Sequence, residues 1–194
     1  MKQAFCIVCN EPNSNGFTHP LCKSPLTPQR LLSALTYQDP IVSDMLITGK
    51  YYFIPELFAI LGALAAHTIL EQYINFPEED LAGFVVCSIP LHTQRLRWRG
   101  FNQSEIAGKI IAQAFNLPYV NLLTRTKKTK TQKDLDSNAR KANMQNAFAC
   151  QYQPPKKVII IDDVSTTGQT FLEAAKVLKQ NGAQTVWCIS IAKD

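Results

Sequence analysis

The chain has 194 residues, of which 46% are apolar, 18% charged and 9% aromatic. That composition belongs to a globular protein of one domain with at most a small appendage, and it excludes a disordered chain. No apolar run approaches the ~20 residues of a bilayer span, and residues 1–16 lack the apolar block of a secretion signal. A cytoplasmic protein without membrane insertion is expected. The net charge of +5 is unevenly distributed: residues 1–90 hold 4 Lys/Arg against 8 Asp/Glu, residues 91–157 hold 13 against 3, and residues 158–194 hold 3 against 4. The positive excess lies in the central third, where it would attract phosphates on a nucleotide or a nucleic-acid backbone.

The first element is a metal knuckle. Cys6 and Cys9 form a C-x2-C turn, and His19 and Cys22 an H-x2-C pair, with nine residues between the two pairs. This is the spacing of a Cys3His zinc site, with all four tetrahedral positions filled by protein, hence a structural ion. The intervening residues have no core of their own, so a metal would supply their folding energy. Cys87 and Cys188 sit in apolar runs and read as buried thiols. Without a secretion signal, disulfides are not expected.

Leu31 to Tyr37 suits a strand. Asp39-Pro40 caps a helix over Ile41 to Thr48 that Gly49 would end. Pro55 opens a second helix to about Tyr73, with Leu57, Leu61, Leu64 and Ile69 on one side. Gly83 to Ile89 is a continuous apolar run, as in a parallel strand covered on both faces. A basic loop, Pro90 to Phe101, leads to a helix over Gln103 to Phe115, with Ile106, Ile110, Ile111 and Ala114 on one face. Pro118 to Leu123 is a short strand, and Arg125 to Asn146 a polar, basic loop. Lys157 to Ile161 is a buried strand, Thr170 to Gln180 a helix closed by Asn181-Gly182, and Thr185 to Ile191 the last strand. Strands alternating with helices imply an α/β open parallel sheet.

The chemistry concentrates after the strand at Lys157. Asp162 and Asp163 are followed by Val164, Ser165, Thr166, Thr167, Gly168, Gln169 and Thr170. Ligands of open α/β sheets bind beyond the carboxyl ends of strands, and a helix N-terminus attracts anions. The hydroxyls and the glycine cradle a phosphate; the two carboxylates suit a vicinal diol, directly or through hydrated Mg2+. Phosphate beside ribose hydroxyls describes a 5-phosphoribosyl group. Arg95, Arg97 and Arg99, followed by Gly100, Phe101, Asn102 and Gln103 at a helix start, suit a second anion.

Val158 to Thr170 resembles the phosphoribosyl-pyrophosphate (PRPP) signature of type I phosphoribosyltransferases. With the N-terminal knuckle, R-G-F-N-Q at 99–103, T-Q-x2-L-x4-R-x2-N-x4-F at 131–148, and Lys50-Tyr51, the whole pattern is similar to the ComF/GntX family over residues 5–191. The second knuckle of that family is usually C-x2-C, where this chain has His19-x2-Cys22. The resemblance implies a zinc module (1–27) joined to a type I phosphoribosyltransferase-like domain (28–194). It implies pyrophosphate on the Arg95–Gln103 segment, and Thr131, Gln132 and Arg140 in a mobile hood over the site. It further implies handling of incoming single-stranded DNA during natural transformation, along the +10 segment and with Trp98, Phe101 or Tyr119 stacking on bases. Two other readings compete: an active phosphoribosyltransferase using PRPP and Mg2+ on a base or amine, and a PRPP-sensing regulator that binds a DNA-uptake or helicase partner through its zinc module.

Overall fold

The computed structural model describes residues 4–13, 15–71, 81–127 and 145–194. The chain opens with two short antiparallel strands, β1 (Ala4–Phe5) and β2 (Pro12–Asn13), and a 3-10 turn at Pro20–Cys22. The segment is tied down by β3 (Arg30–Thr36), whose first residue is fully buried. The Arg30 guanidinium lies 4.6 Å from the Phe17 ring and 5.2 Å from the Trp187 ring. Its Nε donates to the Asn15 carbonyl at 2.8 Å. A buried charge is tolerated only with such partners, so Arg30 rivets the N-terminal segment to the sheet.

Helix α1 (Pro40–Tyr51) is capped by Asp39, which accepts from the Ile41 and Val42 amides. It runs through Gly49 instead of stopping there. Gly49 is buried, and a Cβ on it would stand 2.7 Å from the Phe58 ring. The glycine therefore serves close helix packing, not termination, and the extra turn carries Lys50. Helix α2 (Glu56–Ile69) buries Phe58, Leu61, Gly62, Ala65, Ala66 and Ile69, while Leu64 is exposed. Strand β4 (Phe84–Ser88) follows. The expected basic loop contains a helix, α3 (Thr93–Arg99), which His92 caps by accepting from the Gln94 amide and which Gly100 ends at φ 83°.

Helix α4 (Gln103–Ala114) buries Ala107, Gly108, Ile111 and Ala112, while Ala114 is exposed. The small residues are needed because α2 passes so near: a Cβ on Gly62 would stand 2.9 Å from the Ala107 Cα. Of the expected strand at Pro118, only Tyr119 pairs, parallel with Val86. The strand lies further on, as β5 (Leu123–Arg125), antiparallel to β6 (Phe148–Cys150). The chain closes with β7 (Lys157–Ser165), α5 (Gln169–Gln180) and β8 (Thr185–Lys193).

Strands β3, β8, β7 and β4, in that order, form an all-parallel four-stranded sheet. Its two faces follow the period of two within each strand. Ile159 and Ile161 of β7, with Trp187, Ile189 and Ile191 of β8, join the core under α1, α2 and α4. Val158 and Ile160, with Val186 and Cys188, join the core under α5, β5 and β6. Each fully buried Ile or Phe contributes about 1.5–3 kcal/mol, so both faces must stay covered. No helix among the described residues is long and apolar enough to cross a membrane.

Candidate functional site

A cleft of about 440 Å3 opens beyond the carboxyl ends of β4 and β7. Lys50, Arg95, Trp98, Arg99, Gln103, Ser104, Arg125, Asp162, Asp163, Val164, Thr166 and Thr170 line it. Strand β7 does not stop before the two carboxylates. It continues to Ser165, with Asp162 opposite Ser190 and Ser165 opposite Lys193 of β8, so the aspartates are held by sheet pairing and not by a loop.

The two carboxylates are buried and differ in their surroundings. Asp162 Oδ1 accepts from Ser104 Oγ at 2.8 Å and from the Asp163 amide at 2.9 Å. Burial, then the neighbouring Asp163 charge, push its carboxyl up to about 7 against those two hydrogen bonds. Burial alone would also raise Asp163. The Lys50 ammonium, in direct ion-pair contact, outweighs it and holds Asp163 below the ordinary carboxylate value. Below about pH 7, in the mildly acidic range, the pair therefore carries a single negative charge, on Asp163.

Asp162 keeps its proton in the folded state at pH values where the unfolded chain has lost it. Stability therefore falls as pH rises from about 4 to about 7, then levels off. Asp162→Asn keeps an acceptor for Ser104 and removes this penalty. We expect it to raise stability on the order of 4 kcal/mol at pH 8 and roughly 1–2 kcal/mol at pH 5, read from urea midpoints at the two pH values. An equal gain at both would refute the assignment.

The three arginines fall on a helix, and helical spacing separates them. Arg95 and Arg99, four apart, both line the cleft. Arg97 points to a different side and is exposed. Arg99 is buried, and its Nη1 donates to Gln103 Oε1 at 2.6 Å. Burial lowers its pKa, and the Asp163 charge opposes that effect. Trp98, 55% exposed, stands at the cleft mouth with the Phe53 and Tyr51 rings edge-on at 5.0 and 6.5 Å. Asn102 is occupied elsewhere: it caps α4 through the Ser104 amide and donates to the Ile89 carbonyl. Gly100 is the left-handed end of α3. Neither Asn102 nor Gly100 lines the cleft.

Of the hydroxyl segment, Val164, Thr166 and Thr170 face the cleft. Thr167 and Gln169 are half-buried, and Gly168 turns at φ 72° to start α5. The Thr166 carbonyl accepts from Lys193 Nζ at 2.9 Å, and the Ser165 carbonyl from the Asp194 amide at 3.1 Å. Ser165 Oγ and Arg99 Nε are buried without a hydrogen-bond partner among the described residues. Arg99 lines the cleft, so its orphaned donor suits an anionic ligand there, whereas Ser165 lies outside the lining.

The N-terminal cysteines and histidine do converge. The ligand atoms of Cys6, Cys9, His19 and Cys22 all lie within 4.8 Å of one another. Cys9 Sγ is 3.3 Å from His19 Nδ1, and the His19 amide points at Cys6 Sγ at 3.4 Å. Desolvation, then hydrogen bonding to Cys9 and Cys6 and the charge of those two, push the Cys22 thiol up to about 11. Such crowding of thiols is relieved by a dication, so the four residues could hold a metal such as zinc. Cys87 and Cys188 are buried.

Thr131, Gln132 and Arg140, with Leu135 and Asn143, lie outside the described residues. Of the expected stacking residues, Phe101 is half-buried against Phe58, with ring centroids 5.8 Å apart. The Tyr119 hydroxyl is bonded to Ser88 and Asn121. Sequence reading missed Ser104 and Arg125 and gave Lys50 no partner. All three come from elements remote in the chain from Asp162, and only the α4 cap and the length of α1 could have hinted at two of them.

A parallel sheet with adjacent carboxylates and a hydroxyl-rich turn at one strand end defines a phosphoribosyltransferase-type domain, here with a Cys/His module in front. The family model for the phosphoribosyl transferase domain matches residues 103–194. The DNA utilization protein YhgH of Salmonella typhi is 34% identical over 167 residues, covering 83% of this chain and 71% of that protein. YhgH of Shigella flexneri is 30% identical, covering 96% and 84%. Competence protein F of Haemophilus influenzae is 30% identical, covering 80% and 75%. The chain belongs to the ComF family.

Proposed function

We propose that this protein handles single-stranded DNA entering the cytoplasm during natural transformation, and that its cleft is a PRPP-type pocket. The names of its relatives, competence protein F and DNA utilization protein, support the cellular role. In this reading residues 1–27 are a zinc module and residues 28–194 the phosphoribosyltransferase-like domain. The observation that carries the DNA reading is helix α3. One short helix sends Arg95 and Arg99 into the cleft and holds the half-exposed Trp98 at its mouth, while Arg97 is exposed on another side of the same helix. A cationic pocket with an aromatic mouth, on a helix that carries a further exposed cation, suits a strand whose backbone meets arginines and whose base stacks on an indole.

Because Arg99 is buried beside Asp163, the test uses Arg95, Arg97 and Trp98. Replacing both Arg95 and Arg97 by Ser should make the slope of log affinity against log salt for single-stranded DNA shallower by about 1.4. Trp98→Ala should weaken binding by about 5- to 100-fold. An unchanged slope and affinity in these variants would refute this surface.

A second reading, an active phosphoribosyltransferase, is favoured by the carboxylate pair. Asp162 and Asp163 would hold the ribose hydroxyls, with Mg2+ bound to PRPP beside them. Val164 to Thr170 would hold the 5-phosphate, and Arg95, Arg99 and Gln103 the pyrophosphate. Positioning and charge stabilisation would then carry the rate. Release of pyrophosphate in the presence of Mg2+, PRPP and a panel of bases or amines, lost in Asp163→Ala, would establish it.

A further inference from the structure

We propose that Ile7 of the metal knuckle is a positioning residue for the 165–168 turn, so that metal binding and phosphoribosyl-ligand binding are energetically coupled. The inference rests on the reading of that turn as a phosphate cradle.

Ile7 lies between the ligands Cys6 and Cys9, is 3% exposed, and belongs to the core under α5. The turn presses directly on it. A Cβ built on Gly168 would stand 3.0 Å from Ile7 Cγ1 and 3.1 Å from the Ile7 carbonyl oxygen. Gly168, at φ 72°, sets the direction in which α5 starts and hence where its free amides point. A second contact reaches the turn from the same module. Lys193 Nζ sits over the Phe5 ring at 5.5 Å while donating to the Thr166 carbonyl at 2.9 Å. The turn is thus backed by residues on both sides of Cys6.

Apart from that core packing, the knuckle has little of its own to hold Ile7 in place. Its backbone closes through Asn10 N–H to the Cys6 carbonyl and Cys6 N–H to the Glu11 carbonyl, and Val8, Cys9, Asn10 and Glu11 are exposed. A metal on Cys6 and Cys9 fixes this turn, and with it the wall behind Gly168. Coupling between two sites is reciprocal. If the metal tightens the phosphate turn, a ligand on the turn must tighten the metal by the same factor.

The test uses the full-length zinc-loaded protein, with Mg2+ and PRPP as the probe. Ile7→Ala, checked to retain one zinc per chain, should weaken PRPP binding by calorimetry about 5- to 20-fold. Ile7→Val, which shortens the side chain by one methyl and leaves the fold intact, should give a smaller loss in the same direction. Saturating PRPP should lower zinc transfer to a competing chelator in the wild type, and less so in Ile7→Ala. A merely structural role for Ile7 would not move that chelator competition. PRPP affinity within twofold of wild type in both variants, or zinc transfer indifferent to PRPP, overturns the coupling alone. No PRPP binding by the wild type overturns the cradle reading and this proposal together.

Discussion

Lys50→Met destabilises the protein by about 3 kcal/mol at pH 7, and adding Asp163→Asn recovers most of that loss. The reason is the environment of the pair. Asp163 is 6% exposed, its charge is held by Lys50, and the nearest other anionic group is Asp162 beside it. Removing one partner of a buried pair leaves the other uncompensated, which costs about 3–5 kcal/mol, whereas replacing both by neutral groups is often close to neutral. Lys50 keeps some solvent contact, with 21% of its side chain exposed, so the lower end applies. The double-mutant cycle, read from denaturant midpoints at pH 7, should give a coupling energy of about 2 kcal/mol or more. Additive effects would show that the two groups do not depend on each other. In the proposed function the stable double variant binds PRPP more weakly, because the diol has lost one of its two carboxylate acceptors.

Withdrawing the metal should unfold the N-terminal module while the sheet stays folded. Little in residues 4–29 is buried: Ala4, Cys6, Ile7, Gly16, Thr18 and Pro28 are, and most of the rest is exposed or half-buried. Structural zinc in comparable modules contributes roughly 10–16 kcal/mol of apparent binding energy, which is folding energy. The sheet has its own two cores, one covered by α1, α2 and α4 and the other by α5, β5 and β6. Zinc-loaded protein should carry one ion per chain. Chelation, or Cys9→Ser, should open the segment before β3 to protease at least tenfold faster, with the circular dichroism of the helices and sheet largely kept. Purified protein without stoichiometric metal, or a segment equally resistant after chelation, would refute the assignment of the four ligands to a structural ion.

Which elements were legible depended on how local their causes are. The four sheet strands were readable because a strand buried on both faces is mostly apolar, as Val158 to Ile161 is throughout and Val186 to Ile191 is apart from Ser190. The α1 cap was readable because Asp39-Pro40 acts within three residues. The helix at Thr93 was missed because three arginines and a tryptophan in seven residues give no apolar period. Gly49 misled because a glycine that ends a helix and one that admits a phenylalanine ring look alike in sequence.

By itself, the sequence determined the chemistry carried by contiguous residues. The spacing of Cys6, Cys9, His19 and Cys22 implied a metal cluster, and the side chains do meet. Asp162 to Thr170 placed two carboxylates, hydroxyls and a glycine together because neighbours in the chain are neighbours in space. Only the tertiary structure decided which arginines share the cleft, since that required knowing that α3 is helical. Only it brought Lys50 to Asp163, Ser104 to Asp162 and Ile7 to Gly168. Those contacts join residues 58 to 161 positions apart. Long-range pairing is set by how whole elements stack, which leaves no mark in the local pattern of any one of them.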